Sequence, residues 1–285
     1  MILSFHPCFM GEHQVILGDR SLDSDDLALI RDARVIILPQ ACTFDLYRVC
    51  KSSSALLFPN YDARFDYPGK IGQAALFDKL KCPHPKSLIW YGVDSFRDAW
   101  DKSNEFPHRT PFLLKTNEGH EAAGLFLIRS QEDLDSALGK LESMERTGSW
   151  GFVSQDLIPC EGNALRVVII GNRIITYWKR PKRPGDLITT IGRGAKIDRE
   201  WRPDLQKKGE IEARGFSMAT GINLAAIDFV FDLEASDPEP LFLEINYYFG
   251  RRGLGGSKEY YHLLLLAIRD WLKEHGIHPD SVRLA

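Results

Sequence analysis

The chain has 285 residues, 44% hydrophobic and 26% charged, with a formal net charge of −3. That length holds one large domain or two to three small ones around a sizeable core. The balance is ordinary for a soluble globular protein and carries no electrostatic footprint for nucleic acid. Met1 to Pro7 lacks the basic and apolar regions of a signal peptide. The longest apolar run, Leu263 to Ile268, is too short for a bilayer, so no membrane partner is expected. Five cysteines form no Cys-x-x-Cys pair, which fits reduced thiols and a cytoplasmic location.

Ile2 to Phe5, Val35 to Leu38 and Ala55 to Phe58 are short apolar runs bounded by polar residues or proline, the pattern of buried strands. Between them Ser24 to Ala33, with Ser24 as N-cap, and Phe44 to Lys51 read as helices. Alternating strand and helix predicts a small parallel α/β unit over residues 1–67. It has no Gly-x-Gly-x-x-Gly, so no dinucleotide site is assigned. Asn60 to Gly69 is a polar connection, and Lys70 to Leu80 a helix ended by Pro83 and Pro85.

Leu88 to Tyr91 is then a strand and Ser95 to Lys102 a helix capped by Ser95. Pro111 to Lys115 and Leu125 to Arg129 are strands around Thr116-Asn117-Glu118-Gly119-His120-Glu121-Ala122-Ala123-Gly124. Gln131 to Met144 is amphipathic, with Leu134, Leu138 and Leu141 on one face. Gly151 to Ile158 is a strand. Arg166 to Ile170 and Arg173 to Trp178 form a hairpin about Gly171-Asn172. Lys179 to Ile197 is a long basic Gly/Pro-rich loop, the kind that is usually functional or disordered. A helix over Leu205 to Thr220, strands Ala225 to Asp232 and Leu241 to Asn246, and a helix over Lys258 to Glu274 capped by Ser257 complete the chain.

Chemistry concentrates in two places. In Leu241-Phe242-Leu243-Glu244-Ile245-Asn246 the period of two puts Glu244 and Asn246 on one face. Asp228 has the matching phase on the preceding strand, and pairing of the two strands brings three oxygen donors together. Oxygen donors suit Mg²⁺ or Mn²⁺ rather than zinc. Read alone, Glu-x-Asn is more often a strand with one wet face; only with Asp228 do the two readings balance. The second place is the loop from Gly119 to Gly124, whose small residues admit phosphate oxygens to the backbone beside the point charge of Lys115. It has the glycine spacing of a P-loop opening, but Leu125-Phe126 stands where Lys-Ser/Thr is required, and it links two strands. A plain hairpin with a glycine-rich tip is the alternative.

Taken jointly, the segment from Lys70 to Ser257 resembles the ATP-grasp superfamily, most closely its branch of ribosomal-protein glutamate ligase-like enzymes. The residues that carry the resemblance are Lys70, opening the helix before the lid, and Lys115 with Glu118, Gly119 and Gly124. Val153 to Ile158 resembles the adenine hinge, Arg166 opens the next strand, and Asp228 with Glu244-x-Asn246 resembles the metal set. Gly194-Ala195-Lys196 is also similar to an ATP-grasp group named for a Gly-Ala-Lys motif. The resemblance implies an α/β (α+β) ATP-grasp fold. Its parts would be a short N-terminal parallel α/β domain (1–67), a lid subdomain with the phosphate loop (68–153) and a C-terminal antiparallel-sheet subdomain with the metal site (154–285).

It further implies an ADP-forming carboxylate–amine (or thiol) ligase that works through an acyl phosphate, with ATP and Mg²⁺ (or Mn²⁺). Lys70, Lys115, Glu118, Gly119, Ala123 and Gly124 would hold phosphates, and Gln155, Asp156, Leu157 and Ile158 adenine. Glu161 or Asn163 would hold the ribose. Asp228, Glu244 and Asn246 would hold metal, and Arg166, Lys179, Arg180 and Arg193 would stabilise phosphoryl transfer. The chain departs from the branch at Tyr247-Tyr248-Phe249, so the substrate is expected to differ. Arg251 and Arg252 are candidates for an anionic group on it. Partners are a small-molecule or peptide carboxylate and an amine; the oligomeric state is open, a dimer included. A small-molecule kinase and a nucleotide-binding module without turnover are the competing readings.

Overall fold

The computed structural model describes all residues except 104–107, 120–123, 184–185 and 187–193. The chain opens with β1 (Ile2–Ser4), β2 (Phe9–Met10), β3 (His13–Gln14), α1 (Ser24–Asp32), β4 (Val35–Ile37), α2 (Phe44–Lys51) and β5 (Leu56–Phe58). β3, β1, β4 and β5 form a parallel sheet in that order. β1 and β4 are buried throughout, which is why they read as continuous apolar runs rather than alternating ones. The cap of α1 is Asp23, one residue before Ser24. Its carboxylate accepts from Asp25 and Asp26 N–H, and Asp26 returns a bond to the Asp23 N–H, a reciprocal pair that a serine at the next position cannot make. The expected polar connection contains a short helix, α3 (Asp62–Asp66), because the Asn60 side chain accepts from the Asp62 N–H.

Next come α4 (Gly69–Leu80), β6 (Ser87–Trp90), α5 (Val93–Ser103), β7 (Phe112–Thr116), β8 (Leu125–Ile128), α6 (Gln131–Arg146) and β9 (Phe152–Asp156). The antiparallel sheet they form has the order β6-β9-β7-β8. Its core joins Phe112, Leu114 and Phe152 to Leu134, Leu138 and Leu141 of α6, the stripe visible in the sequence. α5 begins at Val93 rather than at Ser95, since the Glu145 carboxylate of α6 accepts the Val93 N–H at 2.8 Å. The expected division between 153 and 154 falls inside β9, whose residues all pair with β7.

The third sheet is built from β10 (Ala164–Ile170), β11 (Arg173–Arg180), β12 (Lys196–Asp198), β13 (Leu224–Val230) and β14 (Leu241–Asn246). All its pairs are antiparallel, in the order β12-β11-β10-β13-β14. The two ends of the expected basic loop are therefore strand. α7 (Pro203–Thr220) covers one face through Leu205, Ala213 and Phe216, packed on Leu165, Val167, Ile227 and Phe229. α8 (Ser257–Glu274), whose first flanking residue is Gly256 rather than Ser257, covers part of the other. Leu264, Ile268 and Leu272 of α8 share one core with Val168, Ala226, and with Ile2, Val35 and Phe58 of the parallel sheet. The chain closes with β15 (Arg283–Leu284) paired to β2. Among the described residues, no helix is long and apolar enough to cross a membrane.

Candidate nucleotide and metal site

The face that α8 covers changes character along its length. Val168, Ile170 and Ala226 lie in the apolar core under the helix. Arg166, Lys179 and Asp228 continue the same phase beyond it, because β10 pairs Arg166 with Asp228 on one side and Ala164 with Lys179 on the other. On β14, Glu244 lies opposite Asp228 and Asn246 opposite Ala226. A bulge follows immediately: Phe229 pairs with Phe242, so Leu243 is the extra residue.

Asp228 is fully buried. Arg166 donates Nε–H and Nη2–H to its two oxygens, both at 2.7 Å, and Lys179 Nζ donates at 2.6 Å. The Asn246 amide nitrogen reaches Asp228 at 3.3 Å and Glu244 at 3.0 Å. The oxygen of Asn246 is thus the end left for a cation. Lys70, in the first turn of α4, places Nζ 3.3 Å from Glu244. Burial alone would raise Glu244, but Lys70, Lys179 and Lys115 together with the Asn246 bond hold it far below the usual carboxylate range.

Lys115 ends β7 and is buried, donating to Gln155 Oε1. Burial pulls its ammonium down to about 8; Glu244 and Asp228 oppose that fall and Lys70 adds to it. Lys115 therefore lies in the field of the acidic pair. In all, Lys70, Lys115, Arg166 and Lys179 face Asp228 and Glu244, which leaves two positive charges in excess. Among the described residues no three His, Cys, Asp or Glu gather into a metal cluster. Two carboxylates and an amide are the hard-oxygen set that Mg²⁺ or Mn²⁺ takes, and they fit such an ion; Asp228 is the most contested donor, held already by two cations.

The base of the phosphate loop is tightly built. Thr116 N–H donates to Gly124 C=O at 2.9 Å, and Thr116 Oγ1 to Glu118 C=O at 2.6 Å. Gly124 has φ +78°, and a Cβ there would stand 2.1 Å from Thr116 Oγ1. Glu118 is exposed, and Gly119 follows it. Ala123 and Arg193 lie outside the described residues.

The expected adenine strand is partly used up. Gln155 is in the middle of the sheet, its backbone paired toward Ser87 and Leu113 and its amide between Lys115 and Ser87 Oγ. Its backbone is therefore not free for a base, a correction that follows from β9 being a central strand. Asp156 N–H donates to Lys86 C=O, and its carboxylate meets His108 Nδ1 at 2.5 Å. Leu157 and Ile158 run beyond the strand, where the Ile158 C=O accepts from Cys160 N–H. Of the two ribose candidates, Glu161 is exposed at φ +50°. Asn163 is buried, its nitrogen turned back to Cys160 C=O at 2.9 Å and its oxygen without a partner among the described residues.

Arg180 does not join the site. It follows Lys179 by one residue, so it projects from the α7 face, where it pairs with Asp198 at 3.0 Å and stacks over Trp201 at 4.4 Å. Arg251 lies over Tyr260 and Tyr261 at 4.9 and 4.6 Å, and Arg252 is exposed at the start of a 3-10 turn, Arg252–Leu254. Gly253 of that turn has no room for a side chain: a Cβ would stand 2.0 Å from the Tyr177 ring.

Three features were missed in the sequence. Ser154, His108 and Asp156 stand in the order of a hydrolytic triad, His108 Nε2 being 2.8 Å from Ser154 Oγ. Ser154 is fully buried and also accepts from Trp90 Nε1 at 2.8 Å, so this set braces the lid sheet and is closed to substrate. Burial lowers the His108 ring below its ordinary value, against the pull of Asp156. Gln73, one turn beyond Lys70, bonds the backbone of Ile245, and Asn117 bonds the start of α4. The helical offset of three from Lys70 is the one sequence cue to Gln73.

A family model described as the RimK-like ATP-grasp domain matches residues 69–259. A probable alpha-L-glutamate ligase of Coxiella burnetii is 25% identical over 146 residues, 51% of this chain and 45% of that protein. One from Xanthomonas campestris pv. campestris is 28% identical over 148 residues, 51% of this chain and 47% of that protein. The chain spans about half the length of these curated relatives. A RimK domain ATP-grasp protein from Sphaerobacter thermophilus superposes with a TM-score of 0.58 at 12% identity, covering 93% of this chain and 97% of that one. The ADP complex of N5-carboxyaminoimidazole ribonucleotide synthetase gives 0.59 at 13% identity, covering 83% and 59%. An L-amino acid ligase from Bacillus licheniformis gives 0.57 at 12% identity, covering 85% and 59%. These structural likenesses establish the fold, and the matched segment contains Lys70, Lys115, Arg166, Lys179, Asp228, Glu244 and Asn246. The chain belongs to the RimK-like ATP-grasp family.

Proposed function

We propose that the chain is an ADP-forming ligase that joins a carboxylate to an amine with ATP and Mg²⁺. The observation that carries this reading is the charge of the cleft. Four cations around two carboxylates leave an excess of two positive charges, which matches a triphosphate that carries one divalent ion. Relatives named as probable alpha-L-glutamate ligases support carboxylate–amine chemistry.

In this reading Lys70 and Lys115 hold phosphate oxygens, with the Thr116–Gly124 base setting the loop above them. Asp228, Glu244 and Asn246 would hold Mg²⁺, which when bound offsets phosphate charge. Arg166 and Lys179, both bonded to Asp228, stabilise the phosphoryl group in transit. The substrate carboxylate oxygen bonds to the γ-phosphorus as the bond to ADP breaks. The amine nitrogen then bonds to the acyl carbon, phosphate departs, and the surplus amine proton leaves with it. The N-terminal α/β domain of residues 1–67 precedes a lid that runs from residue 68 through β9 and a metal domain that follows it to residue 285.

Arg251 and Arg252 form no ion pair among the described residues, and Arg251 lies against the rings of Tyr260 and Tyr261. They fit an acceptor with an anionic group beyond the reacting one, as an acidic amino acid or peptide has. The test is incubation with ATP, Mg²⁺, hydroxylamine and a panel of amino acids and short acidic peptides. Hydroxamate formed together with ADP and phosphate is the expected result. A phosphorylated product inert to hydroxylamine would instead make the protein a kinase. ATP bound without turnover over the whole panel would make it a binding module. An unchanged acceptor KM in both Arg251→Ala and Arg252→Ala would remove the anionic-acceptor assignment.

A further inference from the structure

β14 is the edge of its sheet, so Ile245 turns its N–H and C=O away from β13. Both groups are nevertheless satisfied. The Ile245 N–H donates to Gln73 Oε1 at 2.8 Å, and the Ile245 C=O accepts from Gln73 Nε2 at 2.9 Å. One side-chain amide closes the two-bond ring that a residue of a neighbouring strand would close. Ile245 is the residue between Glu244 and Asn246, so this clamp grips the strand at the centre of the acidic pair.

The same helix is also tied at its N-terminus, one turn before Gln73. Pro68 offers no side-chain cap to α4. Asn117, at the root of the phosphate loop, supplies one from a distance. Its C=O accepts from Lys70 N–H at 3.1 Å, and its Oδ1 accepts from Ile71 N–H at 3.1 Å. Asn117 N–H in turn donates to Gly151 C=O at 3.1 Å. The contact is close enough that a Cβ on Gly69 would stand 2.3 Å from Asn117 Oδ1. The first turns of α4 thus link Asn117 to β14, with Lys70 at the Asn117 attachment and Gln73 at the other.

We infer that Gln73 is a positioning residue, which sets Glu244 and Asn246 for a divalent ion by completing the hydrogen bonding of Ile245. This rests on the Mg²⁺-nucleotide reading of the site. Without the clamp an edge strand next to a bulge has two backbone groups open to water, and the spacing of its two polar side chains is no longer fixed. Outer partners of metal ligands act in this way, through orientation rather than contact.

The experiment is a titration of Mg²⁺ against binding of AMP-PNP, a non-hydrolysable ATP analogue, so the acceptor need not be known. Gln73→Met keeps the length and stem of the side chain and deletes both bonds. Gln73→Glu keeps the acceptor for the Ile245 N–H and loses the donor. The Mg²⁺ concentration at half effect should rise about tenfold or more in Gln73→Met and shift the same way in Gln73→Glu. AMP-PNP affinity without Mg²⁺ should stay at the wild-type value, and amide exchange at Ile245 should quicken while that at Ile227 does not. An unchanged Mg²⁺ midpoint in a folded variant overturns the proposal, whatever the exchange at Ile245. If Gln73→Met does not fold, the midpoint of Gln73→Glu decides. A wild-type chain whose AMP-PNP binding ignores Mg²⁺ overturns the nucleotide–metal reading, and this inference with it.

Discussion

Arg166 and Asp228 stand directly opposite each other on β10 and β13 and meet through two hydrogen bonds of 2.7 Å, inside the sheet rather than on its rim. Lys179 adds a third cationic contact at 2.6 Å. One buried carboxylate therefore compensates two buried cations. Asp228→Asn keeps the shape and removes the charge. It should destabilise the chain by about 3–5 kcal/mol, the cost of stranding buried charge. Urea unfolding measures this. Adding Arg166→Met to Asp228→Asn should recover part of the loss, since one stranded cation is removed. A variant as stable as the wild type would mean that the pair is not a compensated buried charge.

Lys115 illustrates function held against stability. Its ammonium is pulled from the ordinary 10.5 to about 8 by burial. Below 8 both folded and unfolded chains hold the proton, and the cost of burying the charge is felt in full. Between 8 and 10.5 the folded chain releases the proton while the unfolded chain keeps it, so this lysine's contribution becomes less unfavourable as pH rises. Lys115→Met should raise stability at neutral pH by about 2 kcal/mol, after allowing for the partner lost to Gln155. It should weaken ATP about tenfold or more. Melting curves across the pH range read the first effect: the gap between variant and wild type should narrow above pH 8. A gap independent of pH would rule out the buried ammonium as its cause.

His6 supplies the acid-sensitive element. Its ring is buried against Phe9 and Tyr261, Nδ1 accepts the Cys8 N–H at 3.1 Å, and Arg251 is the charged group nearby. Burial first, and Arg251 second, pull it from 6.5 to about 4. An unfolded chain takes this proton near 6.5 and the folded one near 4, so stability falls as pH drops through that window. The loss approaches about 3 kcal/mol. His6→Asn retains an acceptor for Cys8 without a titrating ring. Urea midpoints between pH 4 and 6.5 should fall less steeply in this variant than in the wild type. Equal slopes would assign the acid sensitivity to other groups.

Legibility in the sequence followed range. Glu244 and Asn246 were readable because a strand fixes faces by parity, and Asp228 because its own strand has the same parity. The buried runs of β1 and β4 were readable because strands covered on both faces carry no polar residues. The cap of α1 was misplaced by one residue: Asp23 and Ser24 are both good caps, and the reciprocal bond with Asp26 decided between them. Arg180 was drawn into the site by its neighbour Lys179, though the same parity rule that united Glu244 with Asn246 separates Lys179 from Arg180. Gln155 was read as hinge, but only the sheet order makes β9 central and its backbone fully committed.

By itself the sequence determined most of the elements and the kinds of donor they present, since these depend on local periodicity and side-chain chemistry. Through its resemblance to the ATP-grasp superfamily it singled out Lys70, Lys115, Arg166, Asp228, Glu244 and Asn246 in order. Tertiary structure alone decided which of these groups neutralise one another. Asp228 belongs as much to Arg166 and Lys179 as to any metal, and Glu244 is shared with Lys70. It alone decided that an amide from a helix, Gln73, would complete the edge of β14. Hydrogen bonds and ion pairs across 49 to 174 residues of chain have no local pattern to announce them. They form only where folding has removed the water that would otherwise satisfy both partners.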